Sequence, residues 1–491
     1  MSASAGGAGA RTVVVGGGLA GTTAALALAD RGARVTLIEA RPRLGGLAFS
    51  FRRDSPVGEL TVDNGQHVYL RCCTAYAGFL RRLGATALAP LQRRLDVPVL
   101  DAGRGRAGRI RRNGLPAPLH LAASLARYPH LSPGERAAAA RATLALRHLD
   151  PADPALDGQD FGGWLRARGQ SERAIAALWD LIGVATLNAR AGDVSLALAA
   201  MVFRTGLLTA PGAADLGIPR VPLGELHDTH ARAALDRSGV TTLLATKARA
   251  LRRGEGGGWL VDVAARGERR ALAAESVVLA VPHDAAHGLL PPGALDDPDR
   301  LLGIGTAPIL NVHVVYDRQV MRVPFVAALG GPVQWIFDRT GPARLVGAPG
   351  SPPGQYLALS QSAAHDEIDR PVDALRERYL PELARLLPRA AGARVRDFFV
   401  TRERTATFAP APGVGRLRPE TRTRLPGVYL AGAWTATGWP ATMEGAVRSG
   451  LAAARAVAGG AAWPHRGPGS HATAGSHGTA GSHGTDGGES V

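Results

Sequence analysis

The chain has 491 residues, 46% hydrophobic and 20% charged, with a formal net charge of +16, which predicts two or three globular domains with ample core. The basic excess points away from nucleic acid: the arginines are dispersed along the chain, Lys247 is the only lysine, and aromatics at 5% are scarce for base stacking. No apolar run approaches a membrane span and the opening "MSASAGGAGAR" lacks the regions of a secretory signal, so a cytoplasmic protein is expected, with attraction to an anionic membrane surface as the milder use of its charge.

Residues 11–15, "RTVVV", read as a buried strand, "LAGTTAALALADRGA" as a helix and "RVTLIEA" as a second strand. Between strand and helix, Gly16-Gly17-Gly18-Leu19-Ala20-Gly21 contains G-x-G-x-x-G. Gly16 permits the tight turn, Gly18 a close backbone approach to a pyrophosphate, and Gly21 tight packing of helix on strand. The phosphates are expected at the helix N-terminus, where Leu19 and Ala20 lie. Glu39 ends the second strand 18 residues beyond Gly21, the place of a carboxylate that binds a ribose diol. Strand, turn, helix, strand and acid agree, so a dinucleotide is expected here. The continuation through Ala40 and Arg41 to Gly45-Gly46 marks a second close backbone approach, as for a long cofactor.

The stretch "DNGQH" (63–67) then separates the strand-like runs "ELTV" and "VYL". Asn64-Gly65 is a hairpin signal, while the polar side chains around it suit a spot held against a reactive centre. Adjacent Cys72 and Cys73 can complete neither a useful disulfide nor a zinc site and read as small side chains at a helix start. Residues 86–219 are rich in Ala, Leu, Arg and Pro and largely helical; in "SPGERAAAARATLALRHL", Ser132 suits an N-cap and Pro133 the first helical position. "SLALAAMVFRTGLLTAPG" (195–212) has the apolar content to line a tunnel, touch a membrane or form an ordinary buried helix. Strand signals return in "VTTLL", "WLVDVAA", "SVVLAVP", "PILNVHVVY" and "QYLALSQS", with a helix near 371–388. "GVYLAGA" is one more buried strand, and "PATMEGAVRSGLAAARAVAG" a closing helix in which Glu444 and Arg448 form an i,i+4 ion pair. Residues 1–10 and 464–491, the latter with "GSHATA" and "GSHGTA" repeats, are expected to be disordered tails.

Arg43-Leu44-Gly45-Gly46, after the β-α-β unit, resembles the R-x-G-G-R fingerprint of the FAD-containing amine oxidase and phytoene desaturase superfamily, with Leu47 where that superfamily often has Arg. "VYLAGAWTATGWPATMEGAVRSG" is similar to its C-terminal flavin segment. That likeness implies a turn at Gly432 and Ala433 beside the cofactor, where many relatives carry Asp at the second position. It also implies a helix with Pro440 in its first turn, whose N-terminal residues Pro440, Ala441, Thr442 and Met443 face the flavin.

"DNGQH", "TAYAGFLRRLGA", "RERTATFAPAPG", "RLRPETRT" and "WTATGWPATMEGAVRSG" together resemble the hydroxysqualene dehydroxylase family, over residues 11–460 in outline. The resemblance implies a two-domain α/β flavoprotein. Its Rossmann-like FAD domain would be discontinuous (11–85, 220–300 and 395–460), and 86–219 with 301–394 would form the substrate domain. It implies FAD as cofactor, a hydrophobic C30 isoprenoid substrate, an unspecified electron donor and peripheral membrane contact. The reaction implied is reductive removal of the hydroxyl of 12-hydroxysqualene to give squalene. Loss of an allylic hydroxyl needs an acid and a water-poor pocket; Asp63, His67 and Glu403 are the candidates, with Gly65 and Gln66 passing near the flavin. A carotenoid-type desaturase is the alternative. An amine oxidase is disfavoured because only Trp434 and Trp439 could form its aromatic cage. From another class comes a flavin-free prenyl carrier similar to Rab GDP-dissociation inhibitors.

Overall fold

The computed structural model describes residues 10–346 and 354–460; the expected tails, residue 10 apart, lie outside the described residues. Five parallel strands form one sheet in the order Val428–Leu430, Ser276–Leu279, Arg11–Val15, Arg34–Ile38, Thr241–Leu243. Their continuous apolar runs suit strands covered on both faces, and Val14, Leu37, Val278 and Leu430 are fully buried. Helix Leu19–Ala29 is buried from Leu19 to Leu28. It packs against the closing helix Met443–Gly460, and Gly450 meets the Ala20 carbonyl where any Cβ would collide. An antiparallel meander, Thr246–Arg253, Trp259–Ala265 and Glu268–Ala274, stands beside this sheet.

The second body is a seven-stranded sheet in the order Val395–Phe408, Thr306–Tyr316, Gln355–Ser362, Trp335–Asp338, Phe325–Leu329, Asp96–Asp101, Arg106–Arg111. Only the pair Phe325–Leu329 and Asp96–Asp101 is parallel. Val395–Phe408 was expected in the FAD domain. It pairs instead along nearly its whole length with Thr306–Tyr316, because its apolar residues Phe398 and Val400 complete this sheet's core.

Helix Pro133–Arg147 begins as expected, with Ser132 and Glu135 in a reciprocal capping box and Pro133 at the first position. Helix Leu196–Phe203 is buried against Phe161 and Trp179, so 196–203 is a core helix, not a membrane-touching one. The hairpin signal at Asn64-Gly65 is not realised. Leu60–Asp63 pairs with Ser50–Arg53, whereas Tyr69–Leu70 pairs with Leu216–Gly217. Asn64 spends its side chain on long-range partners rather than on a turn. Among the described residues, no helix is long and apolar enough to cross a membrane.

Candidate functional site

Three backbone turns gather at the carboxyl ends of the parallel strands, the edge where open α/β sheets bind ligands. At the first, Gly16 has φ +108° and donates its N–H to the Ile38 carbonyl at 2.8 Å. A Cβ on Gly21 would collide with the Gly16 carbonyl, so glycine alone lets the helix start this close. The helix opens after Gly18 with no side-chain cap and no acidic residue in its first turn. Its leading N–H groups, those of Leu19 and Ala20 among them, therefore keep their partial positive charge for an anion. This uncapped N-terminus fits a pyrophosphate. Glu39, half-buried, accepts the Gly17 N–H at 2.7 Å on one oxygen and the Arg41 N–H at 2.8 Å on the other. It thus braces the turn while both oxygens keep a lone pair for a ribose diol. Ala40 is exposed beside it.

The second turn is Arg43 to Gly46. Gly45 donates to the Gly17 carbonyl at 2.9 Å, and Gly46 lies so close to Gly18 that a Cβ would stand 2.9 Å from its Cα. Segment Glu225–His230 holds this turn from behind. Asp228 accepts the Leu44 N–H at 3.0 Å and pairs with Arg232, which also donates to the Pro42 carbonyl at 2.9 Å. Buried His227 donates from Nδ1 to the Ala48 carbonyl at 2.9 Å and accepts the Tyr76 hydroxyl at Nε2, 2.8 Å away. Burial lowers its pKa to about 4, so the ring is neutral. The sequence reading missed both residues, because "ELHDTH" carries no motif and its partners lie far away in the chain.

Past this turn the chain reaches the polar stretch 63–67. Asp63 is buried and fully engaged: Oδ1 accepts from the Ser50 hydroxyl at 2.6 Å and the Leu223 N–H at 2.9 Å, and Oδ2 pairs with buried Arg339 at 2.6 Å. Four segments close around that one carboxylate. Asn64 exchanges backbone and side-chain bonds with Phe49 at 3.0 Å and donates from its amide to the Leu47 carbonyl at 2.9 Å and to Glu403 at 3.1 Å. Its own carbonyl accepts from Asn311 at 3.0 Å and from the Thr401 hydroxyl at 3.2 Å. Thr401 in turn accepts from Nε2 of His313, whose Nδ1 accepts the Tyr356 hydroxyl at 2.7 Å; burial lowers the His313 pKa to about 3. Glu403, half-buried on the strand Val395–Phe408, has its pKa raised by burial, against the pull of Asn64, Arg43 and Arg41. His67 donates from Nδ1 to the Gly65 carbonyl at 3.2 Å, which leaves Nε2 as the acceptor. Its pKa is lowered by burial. Gly65 lies between these groups, with an added Cβ 3.4 Å from the His67 ring and 3.7 Å from the Asn311 amide; Gln66 follows it, half-buried. The fold thus brings Asp63, Asn64, Gly65, His67 and Glu403 into one polar cluster, linked through Leu47 to the Gly45-Gly46 turn.

The third turn begins at Gly432, φ +144°, whose N–H donates to Ser449 at 2.8 Å. Buried Arg418, in "RLRPETRT", donates to the carbonyls of Ala433 at 3.1 Å, Thr435 at 2.5 Å and Trp439 at 2.8 Å, and so shapes the whole loop. Burial brings its pKa down to about 10. Pro440 and Ala441 precede the closing helix instead of opening it. Met443 is its first residue, and Thr442 caps it, accepting the Gly445 N–H at 3.1 Å. A threonine N-cap outcompetes proline at the first position here. Glu444 makes the expected pair with Arg448 at 2.7 Å and also accepts the Ala75 and Tyr76 N–H groups, so it anchors the start of helix Thr74–Leu83.

A family model described as flavin containing amine oxidoreductase matches residues 19–458. Hydroxysqualene dehydroxylase of Rhodopseudomonas palustris is 31% identical over 452 residues, covering 90% of this chain and 97% of that protein. The chain belongs to the hydroxysqualene dehydroxylase family of flavin-containing amine oxidoreductases. It is therefore an FAD-dependent oxidoreductase, which sets the flavin-free carrier aside. The family's kinship with desaturases is visible in 15-cis-phytoene desaturase of Solanum lycopersicum, 24% identical over 91% of this chain and 77% of that one. Cyclohexylamine oxidase of Brevibacterium oxydans IH-35A shares the fold, with a TM-score of 0.66 at 20% identity over 92% of this chain and 99% of that one. In the hydroxysqualene dehydroxylase setting, the uncapped helix N-terminus, Glu39 and the loop ordered by Arg418 are the parts of this chain that fit FAD.

Proposed function

We propose that this enzyme reductively dehydroxylates 12-hydroxysqualene to squalene, with Glu403 as the proton donor. The observation that carries the assignment is Glu403 itself, a half-buried carboxyl with a raised pKa, held on one oxygen by Asn64 in the polar cluster beside the dinucleotide turns. Bound FAD, when reduced, supplies the hydride the reaction consumes. The chain's own residues supply the rest. Asn64 fixes the Glu403 carboxyl and leaves its second oxygen to carry a proton. Neutral His67 accepts the substrate hydroxyl's hydrogen at Nε2 and turns a lone pair of that oxygen toward Glu403. Protonation makes water the leaving group, and the allylic cation left behind is delocalised. Asp63, committed to Arg339, Ser50 and Leu223, holds shape.

A phytoene-type desaturation runs the flavin in the other direction and needs a group that takes protons. Burial raises the Glu403 pKa, which shifts this carboxyl toward giving a proton and so favours dehydroxylation. The test incubates purified holoprotein with hydroxysqualene and a reductant, and separately with phytoene and an oxidant, with products read by mass spectrometry. Squalene in the first arm supports the proposal; desaturated product in the second arm alone overturns it. In Glu403→Gln, single-turnover oxidation of reduced flavin by hydroxysqualene should slow about 10²- to 10⁴-fold. An unchanged rate moves the acid elsewhere.

A further inference from the structure

The arginines look dispersed along the chain, but one segment departs from that pattern. Residues 91–130 hold eight arginines against two aspartates and no other charged residue, a net +6 out of the chain's +16. The fold displays this charge on an edge. Strand Arg106–Arg111 is the last of the seven-stranded sheet, and its residues Arg109 and Arg111 share one face and one carboxylate, that of Asp96. Arg93 and Arg94 stand exposed beside them, and with Gln92, Asp96 and Arg111 they line an open cleft of about 580 Å³. Neither Arg93 nor Arg94 meets a carboxylate among the described residues.

Next to this charge the chain exposes apolar side chains. The segment "GLPAPLHLAA" leaves the end of the edge strand, and Leu115 and Leu119 are 50% and 57% exposed. It is no loose loop. Asn113 donates its N–H to the His120 carbonyl at 2.9 Å, and Arg112 is locked to buried Asp215 at 2.6 Å. Ser124 returns to the strand, donating to the Arg109 carbonyl at 2.9 Å and accepting the Arg111 N–H at 3.0 Å. The two leucines are therefore held out from a rigid base fastened to the arginine-bearing strand.

We propose that this face, the edge strand with Arg93, Arg94, Leu115 and Leu119, is where the enzyme lies on an anionic lipid bilayer. The leucines enter the acyl boundary and the arginines remain among the head-group phosphates, their stems covering apolar surface. Cationic charge around protruding apolar side chains matches the chemistry of a bilayer surface. An acidic protein would match the charge without explaining the leucines, and nucleic acid would call for aromatics that this face lacks. The purpose of the contact rests on the C30-substrate reading, since such a hydrocarbon partitions into lipid; the contact itself is tested without any substrate.

The test sediments the full-length holoprotein with vesicles of phosphatidylcholine alone, or with about three parts in ten of phosphatidylglycerol. Binding is expected only to the anionic vesicles, with release at about 1 M salt. Each arginine lost should weaken partitioning about fivefold, so Arg93→Gln/Arg94→Gln/Arg109→Gln/Arg111→Gln should weaken it several hundredfold. Arg93→Gln/Arg94→Gln breaks no ion pair and should cost about 25-fold; it carries the test if the fourfold variant loses its flavin. Leu115→Ser/Leu119→Ser should weaken binding while preserving its salt dependence. Equal vesicle binding by wild type and variants refutes this face, as does binding to neutral vesicles alone. Failure to bind vesicles, with salt-sensitive binding to an acidic protein instead, reassigns it. Turnover of detergent-dispersed hydroxysqualene should be the same in all variants; its absence in the wild type counts against the proposed reaction and leaves the binding result standing.

Discussion

Asp63 offers the sharpest test of how this site is built. Both it and Arg339 are buried, with side-chain exposures of 5% and 7%, and they meet at 2.6 Å. Asp63→Ala leaves Arg339 with its bond to the Pro219 carbonyl at 2.9 Å and a long approach to Val221. Breaking a buried pair on one side costs about 3–5 kcal/mol. The Leu223 N–H and the Ser50 hydroxyl also lose their acceptor, each an orphan worth about 1–3 kcal/mol. These costs overlap, and about 4–6 kcal/mol is the expected total, a large part of a typical folding free energy of about 5–15 kcal/mol. Asp63→Asn keeps an oxygen for Ser50 and Leu223 and loses the charge, so about 2–3 kcal/mol is expected. Urea unfolding followed by flavin fluorescence and far-ultraviolet circular dichroism measures both. If Asp63 were the proton donor, Asp63→Asn would be as stable as wild type and inactive in single turnover. That result, or an Asp63→Ala within 1 kcal/mol of wild type, refutes the structural role; a destabilised Asp63→Asn whose folded fraction still turns over supports it.

Three further outcomes follow from the same geometry. His227 has its pKa lowered to about 4 from an unfolded value of about 6.5. Its stability contribution is therefore complete above about pH 6.5 and is lost as pH falls toward 4, on the order of 3 kcal/mol; flavin release on acidification should follow that window, and His227→Gln should make it shallower, leaving the part that buried His313 and His67 contribute. Arg418→Met removes the donor shared by four loop carbonyls, those of Ala433, Trp434, Thr435 and Trp439, and should weaken FAD binding about 10²-fold, with the circular dichroism of the parallel sheet unchanged. Arg418→Lys should not rescue it, because one ammonium cannot reproduce the guanidinium fork. Ser132→Ala breaks the capping box and should cost about 1 kcal/mol, read as faster hydrogen exchange in the first turn of Pro133–Arg147, with no change in flavin content.

What the sequence made legible is what a few neighbouring residues decide. The strand Arg11–Val15, the glycine turn, Glu39 and the Ser132 cap all depend on partners within one supersecondary unit. Where two local rules compete, the outcome was not legible: Pro440 and Thr442 both suit a helix start, and the hydroxyl's capping bond places the start at Met443. An apolar run such as 195–212 suits a core and a membrane alike, and only the aromatic partners Phe161 and Trp179 decide for the core.

The polar stretch 63–67 shows a deeper limit. Asn64-Gly65 carries a local turn preference, but the Asn64 amide is bound by Glu403, 339 residues away, and Asp63 by Arg339, 276 residues away. Burying a carboxylate or an amide requires that its bonds be met, so these distant partners override a preference worth far less. A discontinuous fold places such closures where its segments return to one another. Here that is beside the dinucleotide turns, so the residues that hold the segments together and the residue proposed to move a proton are direct neighbours. The separation between them is one of satisfaction: Asp63 has partners on both oxygens, whereas Glu403 has a protein partner on one. Under the proposed reaction, the carboxyl left half-bonded among the described residues, Glu403, is the one with an oxygen to give to substrate.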